Sequence, residues 1–110
     1  MSASHEFIEY VAERLAPIGP LTSGKFFGGH AFKYHGVQFA MIMGNTLYFC
    51  VNDATRKMYI ALGAKPFSYS TKNGRVEVRK YFSVPEEMLE GSIQMLEWAH
   101  EAIASAASSK

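Results

Sequence analysis

The sequence predicts an α+β domain, in which a largely antiparallel sheet of short, hairpin-connected strands carries helices at the N-terminus, in the middle and at the C-terminus. Three observations support this prediction. Glycine-containing pairs separate short apolar runs between residues 28 and 45, as two-residue hairpin turns do. Apolar residues recur at helical spacing near both ends of the chain. Aromatic residues, which favour strands, make up 14% of the 110 residues.

The length and composition fit one globular domain. A content of 48% hydrophobic and 19% charged residues is typical of folded rather than disordered chains. The net charge is +1, whereas domains that bind DNA alone are usually strongly basic, so contact with nucleic acid would need a local basic patch. Residues 1–6 do not resemble a secretory signal, and no apolar run approaches the roughly 20 residues that cross a bilayer. We therefore expect a cytoplasmic protein that does not contact a membrane.

The N-terminal half is predicted as one helix followed by an antiparallel meander. Ser2 or Ser4 can cap the helix, and Pro17 helps to end it. The four strands are expected at residues 21–27, 30–34, 37–43 and 46–51, with corners at Gly28-Gly29, His35-Gly36 and Gly44-Asn45. The strand at 37–43 is apolar on nearly every position, so we expect helices or a partner subunit to cover both of its faces.

A middle helix and a second hairpin are predicted next. Asn52 or Asp53 can cap a helix at residues 54–62, whose apolar residues are Met58, Ile60, Ala61 and Leu62. Strands at 67–71 and 75–82 flank an Asn-Gly turn, and Lys80 interrupts the alternation, which predicts a bulge or an exposed end.

The C-terminal part is predicted as two helices. The spacing from Ser83 to Glu86 matches a capping box that would open a short helix at residues 86–90. A longer helix follows from Ile93 to about Ala106, and residues 107–110 are expected to be a frayed tail of the single domain 1–110. The apolar stripe of the last helix is expected to comprise Ile93, Leu96, Ala99 and Ile103, widened by Met95, Trp98 and Ala102.

No residue pattern predicts a catalytic, metal or cofactor site. Cys50 lies inside an apolar strand and is expected to be a buried structural thiol. His30 and His35 are five residues apart on a strand, which places their side chains on opposite faces and disfavours a shared metal ion. The run from Gly24 to Gly29 lacks the final Gly-Lys-Ser/Thr of a phosphate-binding loop and leads into a strand. We therefore expect no enzyme and no cofactor.

The best surface hypothesis from the residues alone is a basic and aromatic one. If these side chains gather on one face, they could contact nucleic acid or an acidic protein, whereas the alternative is a set of solvated strand edges. The candidate interaction surface comprises Lys25, Lys33, Tyr34, Tyr69, Lys72, Arg75, Arg79 and Lys80.

Four ordered motifs resemble the TfoX N-terminal domain family. Residues 24–40 resemble its basic, Met-Phe-Gly-Gly and Tyr signature, and residues 47–49 resemble its Leu-Tyr strand. Residues 63–69 resemble its Gly-x-x-Pro-Phe-x-Tyr motif. Residues 81–86 resemble its Tyr-x-x-Pro-Glu motif, which leads to a final helix with Leu-x-x-Trp-Ala, here residues 96–99. The matching structural positions are Gly28, Gly29, Gly36, Gly63, Pro66, Phe67 and Pro85. His30, where the family usually has Tyr, is a departure.

The resemblance implies an α+β fold, often found as a homodimer, in a stand-alone N-terminal domain of the TfoX/Sxy regulators of natural competence. It implies a non-catalytic, protein-interaction role in transcriptional control, with a transcription regulator or an RNA polymerase-associated protein as a partner. Two alternatives remain open. One is direct binding of nucleic acid through the hairpin lysines and arginines. The other is a small-ligand or enzyme pocket near the Gly28-Gly29 corner that uses His30 and Tyr34, which share a strand face.

Overall fold

The structure, a computed structural model, describes residues 4–108 of the chain, apart from the side chain of Ser92. Within this range, helices and a six-stranded, entirely antiparallel sheet confirm the predicted α+β class. The elements in chain order are α1 (His5–Leu15), a 3-10 turn (Ala16–Ile18), β1 (Thr22–Phe26), β2 (Gly29–Tyr34), β3 (Val37–Met43), β4 (Thr46–Cys50), α2 (Asp53–Ala61), β5 (Pro66–Thr71), β6 (Gly74–Ser83), α3 (Glu86–Glu90) and α4 (Ser92–Ser108). No helix among these residues is long and apolar enough to cross a membrane.

The strand order is β1-β2-β3-β4-β6-β5. The first four strands form the predicted meander, and the β5–β6 hairpin joins it through β6, which pairs with β4. The β5–β6 register jumps from Phe67 opposite Val78 to Pro66 opposite Phe82, so three residues of β6 have no partner on β5. This irregularity contains Lys80, at which the sequence predicts a bulge or an exposed end.

The helices pack together against one face of the sheet. Phe49 and Phe82 project from β4 and β6 into this core, and Tyr59 of α2 lies against Trp98 of α4 with ring centroids 4.3 Å apart. Phe49 is fully buried, and burial of one such side chain contributes about 1.5–3 kcal/mol to folding. The core therefore joins α2 and α4 to the centre of the sheet.

The first corner lies one residue earlier than predicted. Phe27 and Gly28 form the turn, with φ angles of 45° and 81°, and Gly29 opens β2. A Cβ atom at Gly29 would overlap the carbonyl oxygen of Ile42 and come within 2.7 Å of Met43 Sδ. Gly29 is therefore required by the close approach of β3, and Phe27 adopts the left-handed conformation in the turn.

The first and third helices are capped differently from one another. Ser4 caps α1, where its Oγ accepts a hydrogen bond from Phe7 N at 3.1 Å, whereas Ser2 lies outside the described residues. The predicted Ser83 capping box is wrong, because Pro85 occupies the N-cap of α3. Ser83 instead ends β6, where its Oγ accepts from Lys65 N.

The faces of two helices differ from their predicted stripes. In α2 only Tyr59 is buried, while Met58, Ile60 and Leu62 are exposed. In α4, Ile93 is 77% exposed, and the buried face centres on Met95 and its i+3 and i+4 neighbours. The helix continues to Ser108, past the predicted end near residue 106, and residues 109 and 110 lie outside the described range.

Candidate functional site

The sheet face opposite the helices carries an apolar groove. Met41 and Met43 of β3 point to this face because they alternate with Ala40 and Ile42, which belong to the helix-side core. The groove has a volume of about 470 Å³, and we call it the aromatic groove. Its lining residues are Phe26, Phe27, Met41, Met43, Phe67, Tyr69, Val78 and Tyr81.

Sheet curvature forms the aromatic groove. β1 and β5 lie at opposite edges of the six-stranded sheet. Nevertheless Phe26 at the end of β1 and Phe67 of β5 line the same groove. The sheet therefore curls so that its two edges approach each other on the face that the helices leave free, as the twist of antiparallel sheets and the two register irregularities favour.

Among the residues that line the aromatic groove, the polar side-chain groups are tyrosine hydroxyls. The Tyr81 hydroxyl donates to the carbonyl oxygen of Gln38 at 3.3 Å, and the Tyr48 ring packs edge-on against Phe67 at 5.3 Å. Burial raises the pKa of Tyr81 to about 12 and also raises the pKa of Tyr48. Both hydroxyls are therefore protonated near neutral pH, where they form hydrogen bonds but do not act as bases.

Cys50 is buried, which confirms the predicted structural thiol. Burial raises the pKa of the thiol, and the opposing effect of the Lys80 ammonium is smaller. The thiol is therefore protonated near neutral pH and is a poor nucleophile. Within residues 4–108, no three His, Cys, Asp or Glu side chains lie close enough together to share a metal ion.

His30 and Tyr34 lie on the helix side of β2 and do not line the aromatic groove. They alternate with Lys33 and share a face with Phe32, whose ring centroid is 5.4 Å from that of His30. His30 Nε2 is buried without a hydrogen-bond partner, and burial lowers the pKa of the imidazole. A groove does lie beside the first corner, but on the opposite face of the sheet from the two residues proposed for a pocket there.

The candidate basic surface is divided by the strand order. Lys25 and Lys33 lie on β1 and β2, while Arg75, Arg79 and Lys80 lie on β6, with β3 and β4 between the two groups. Lys33 pairs with Gln38 and Lys25 pairs with His30, on alternate faces of the sheet, yet both lysines line one shallow concavity of about 330 Å³ at this edge.

The remaining members of that surface are also dispersed. Lys72 lies in the exposed turn of the β5–β6 hairpin. The Arg75 guanidinium donates to Ser68 Oγ at 2.9 and 2.6 Å, on the face opposite Val76 and Val78. Of the whole set, Tyr69 alone lines the aromatic groove. The basic residues thus form no single patch on adjacent strands, and nucleic-acid binding stays a prediction.

The residue-based reasoning missed most of the groove. Met41 and Met43 indicated an apolar surface on the second face of the sheet, because a strand that is apolar on both faces needs a cover on each side. The alternation of Val76 and Val78 with charged residues was a second signal. The curvature of the sheet brings these residues close to Phe26, and local sequence patterns do not encode that curvature.

A model of the TfoX N-terminal domain family matches residues 13–106 of the chain. A search of curated proteins finds no match. The family match extends from α1 to α4 and includes every strand of the sheet and every residue of the aromatic groove. The chain therefore belongs to the TfoX N-terminal domain family.

Proposed function

We propose that this chain is a non-catalytic protein-interaction domain of the bacterial cytoplasm that acts in transcriptional control. In this proposal it forms a homodimer and contacts a transcription regulator or an RNA polymerase-associated protein. Both expectations come from its resemblance to the N-terminal domain of the TfoX/Sxy competence regulators. The aromatic groove carries the proposal, because an apolar concavity on a sheet face without helices is a surface that a partner chain can cover.

The chemistry of the groove supports binding rather than catalysis. None of the eight side chains that line it is charged. The hydroxyl of Tyr81 is held protonated by burial, with its pKa raised to about 12. A partner would therefore gain apolar burial and tyrosine hydrogen bonds there, without the cost of desolvating an ion.

Affinity capture with matched baits tests this function. Tyr69 is on the groove rim and 47% exposed, so Tyr69→Arg adds a charge to the groove with little effect on the core. Ser70→Arg adds the same charge one residue away, on the opposite face of β5. We expect wild type and Ser70→Arg to retain a transcription regulator or an RNA polymerase-associated protein from cells of the source organism. Tyr69→Arg should lose it.

The opposite result is equally clear. If the three baits capture the same proteins, the groove is not the contact surface. If no transcription-related protein depends on Tyr69, the regulatory role fails even where another partner is found.

The volume of the groove favours a second candidate function, the binding of a small apolar ligand. Ligand pockets usually measure about 300–1,000 Å³, and the aromatic groove, at about 470 Å³, lies in this range. An uncharged aromatic dye such as Nile red would then bind wild type and Ser70→Arg but not Tyr69→Arg. Equal fluorescence enhancement for all three proteins would count against this candidate.

A further inference from the structure

Phe27 has a conformation and an exposure that the single chain does not explain. It lies in the turn between β1 and β2 with a φ of 45°, a left-handed conformation that bulky side chains rarely adopt. An Asn-Gly pair is the usual solution for such a turn, and here the pair is Phe-Gly. The ring touches Phe26 edge-on at 4.7 Å, yet the residue is 89% exposed. A strained and solvated aromatic side chain points to a contact outside the chain.

The aromatic groove lies directly beside this side chain. Phe27 forms part of the groove rim, together with Tyr69 from the opposite edge of the sheet. Between the two rims lie Met41 and Met43, whose flexible thioethers pack well against aromatic rings. One surface therefore carries both an apolar projection and an apolar cavity.

We propose that the aromatic groove is a two-fold interface in which Phe27 of each copy of the chain inserts into the groove of the other. This inference rests on the homodimer of the proposed function and specifies its contact surface. A transcription-related partner would then contact the assembled dimer, and its loss in Tyr69→Arg would follow from loss of the dimer. Projection and cavity lie on one patch, which is the arrangement that an isologous interface requires, because a two-fold axis brings each patch onto its own copy.

The charge pattern favours a second copy over a charged partner. The groove lining is uncharged, so two copies can meet without burying an ion. The net charge of +1 gives only weak repulsion between two chains. An aromatic anchor in a desolvated apolar pocket is also the type of contact that carries most of the binding energy in an interface.

Sedimentation equilibrium of the full 110-residue chain tests the interface. Wild type should show the mass of a dimer, and Phe27→Asn should raise the dissociation constant about tenfold or more, since it removes the anchor. Asn readily adopts the left-handed conformation, so this variant should fold at least as well as wild type. Tyr69→Arg should also weaken the dimer, whereas Ser70→Arg should not. If Tyr69→Arg loses its circular dichroism signal, Val76→Arg replaces it, since Val76 pairs with Tyr69 and is also exposed.

A mixing experiment distinguishes this inference from dimerisation through another surface. Phe27→Asn keeps the other seven residues that line the groove, and Tyr69→Arg keeps an intact anchor. An equimolar mixture should therefore recover one of the two contacts and form a heterodimer more tightly than either variant forms a homodimer. No recovery in the mixture overturns the insertion of Phe27 into the groove. A dimer that is insensitive to both substitutions overturns the inference and leaves the homodimer standing. A wild type that stays monomeric at about 100 µM overturns both, since specific complexes of this kind are usually tighter.

Discussion

His30 is the residue whose chemistry fits its surroundings least well. Its Nε2 atom is buried without a hydrogen-bond partner, and burial lowers the imidazole pKa from its usual value of 6.5. The unfolded chain therefore binds a proton at a higher pH than the folded chain does. Stability contributed by neutral His30 is present above pH 6.5 and is lost as the pH falls from 6.5 towards the lower pKa of the folded state.

Replacement of His30 should remove this contribution to the pH dependence of folding. We expect the free energy of unfolding of wild type to fall more between about pH 8 and about pH 5 than that of His30→Phe or His30→Tyr, because neither replacement titrates in this window. Urea titrations at the two pH values measure the difference. The same loss in wild type and in both variants would show that the burial of His30 does not couple folding to protonation.

Gly29 and Gly24 offer a matched test of why the first hairpin needs glycine. A Cβ atom at Gly29 would overlap the backbone oxygen of Ile42, whereas a Cβ atom at Gly24 would meet no atom within 4 Å. Gly29→Ala should therefore lower the free energy of unfolding by about 3 kcal/mol or more. Gly24→Ala, on the neighbouring strand and without a positive φ, should change it by less than about 1 kcal/mol. Urea denaturation decides, and similar values for the two variants would contradict the close approach of β3.

At the level of the elements, one side chain ties α2 to α4. The Asn52 side chain accepts from Thr55 N at 2.8 Å, and the Thr55 hydroxyl accepts from Asn52 N at 2.9 Å, which completes a capping box. Asn52 Nδ2 also donates to Ser105 Oγ at 3.0 Å. Ser105 is buried on α4, and its own hydroxyl proton goes to the carbonyl oxygen of Glu101. The cap of one helix is thus also a part-buried contact with another.

Asn52→Ala should cost about 2 kcal/mol, more than an ordinary cap, because it removes the cap and one part-buried hydrogen bond together. A double-mutant cycle with Ser105→Ala isolates the second part. We expect a coupling energy of about 0.5–1.5 kcal/mol between the two sites, measured by urea denaturation. Strictly additive effects would mean that the Asn52–Ser105 hydrogen bond contributes nothing to stability.

The elements also show how far local patterns reach. The His35-Gly36 corner and the Asn52 cap could be predicted because each depends on residues adjacent in sequence. The buried face of α2 could not be predicted, because several apolar residues in its nine positions could each have faced the core. Tyr59 rather than Met58 is buried because its ring packs against the Phe82 and Trp98 rings of other elements. The Ser83 motif failed for the same reason, since pairing with Tyr48 of β4 keeps Ser83 in the sheet.

At the level of the whole molecule, the aromatic groove depends on contacts between distant parts of the chain. It needs β6 beside β4, which places the β5–β6 hairpin next to the meander, and a sheet curved enough to bring Phe26 towards Phe67. The apolar pattern of 37–43 indicated that a second cover was required. It gave no information on where the edges of the sheet meet, so the position and lining of the groove followed only from the strand order and the register.

A dimer formed through this groove should make thermal unfolding depend on protein concentration. Above the dissociation constant, folding and association are coupled, and a tenfold rise in concentration adds about 1.4 kcal/mol per dimer, or about 0.7 kcal/mol per chain. For a domain of this size, that shift corresponds to a rise of about 3–5 °C in Tm. Scanning calorimetry over a hundredfold range of concentration should show the rise for wild type and Ser70→Arg.

Tyr69→Arg should show a Tm that is independent of concentration, because its groove no longer accepts the partner's anchor. This readout separates an interface defect from a folding defect, since a variant that only weakens the monomer would lower Tm by the same amount at every concentration. A concentration dependence in Tyr69→Arg equal to that of wild type would place the dimer contact elsewhere on the molecule. The exposed Met58 and Leu62 would then be the next surface to alter, because these apolar side chains are four residues apart at the end of α2 and the described fold leaves both in solvent.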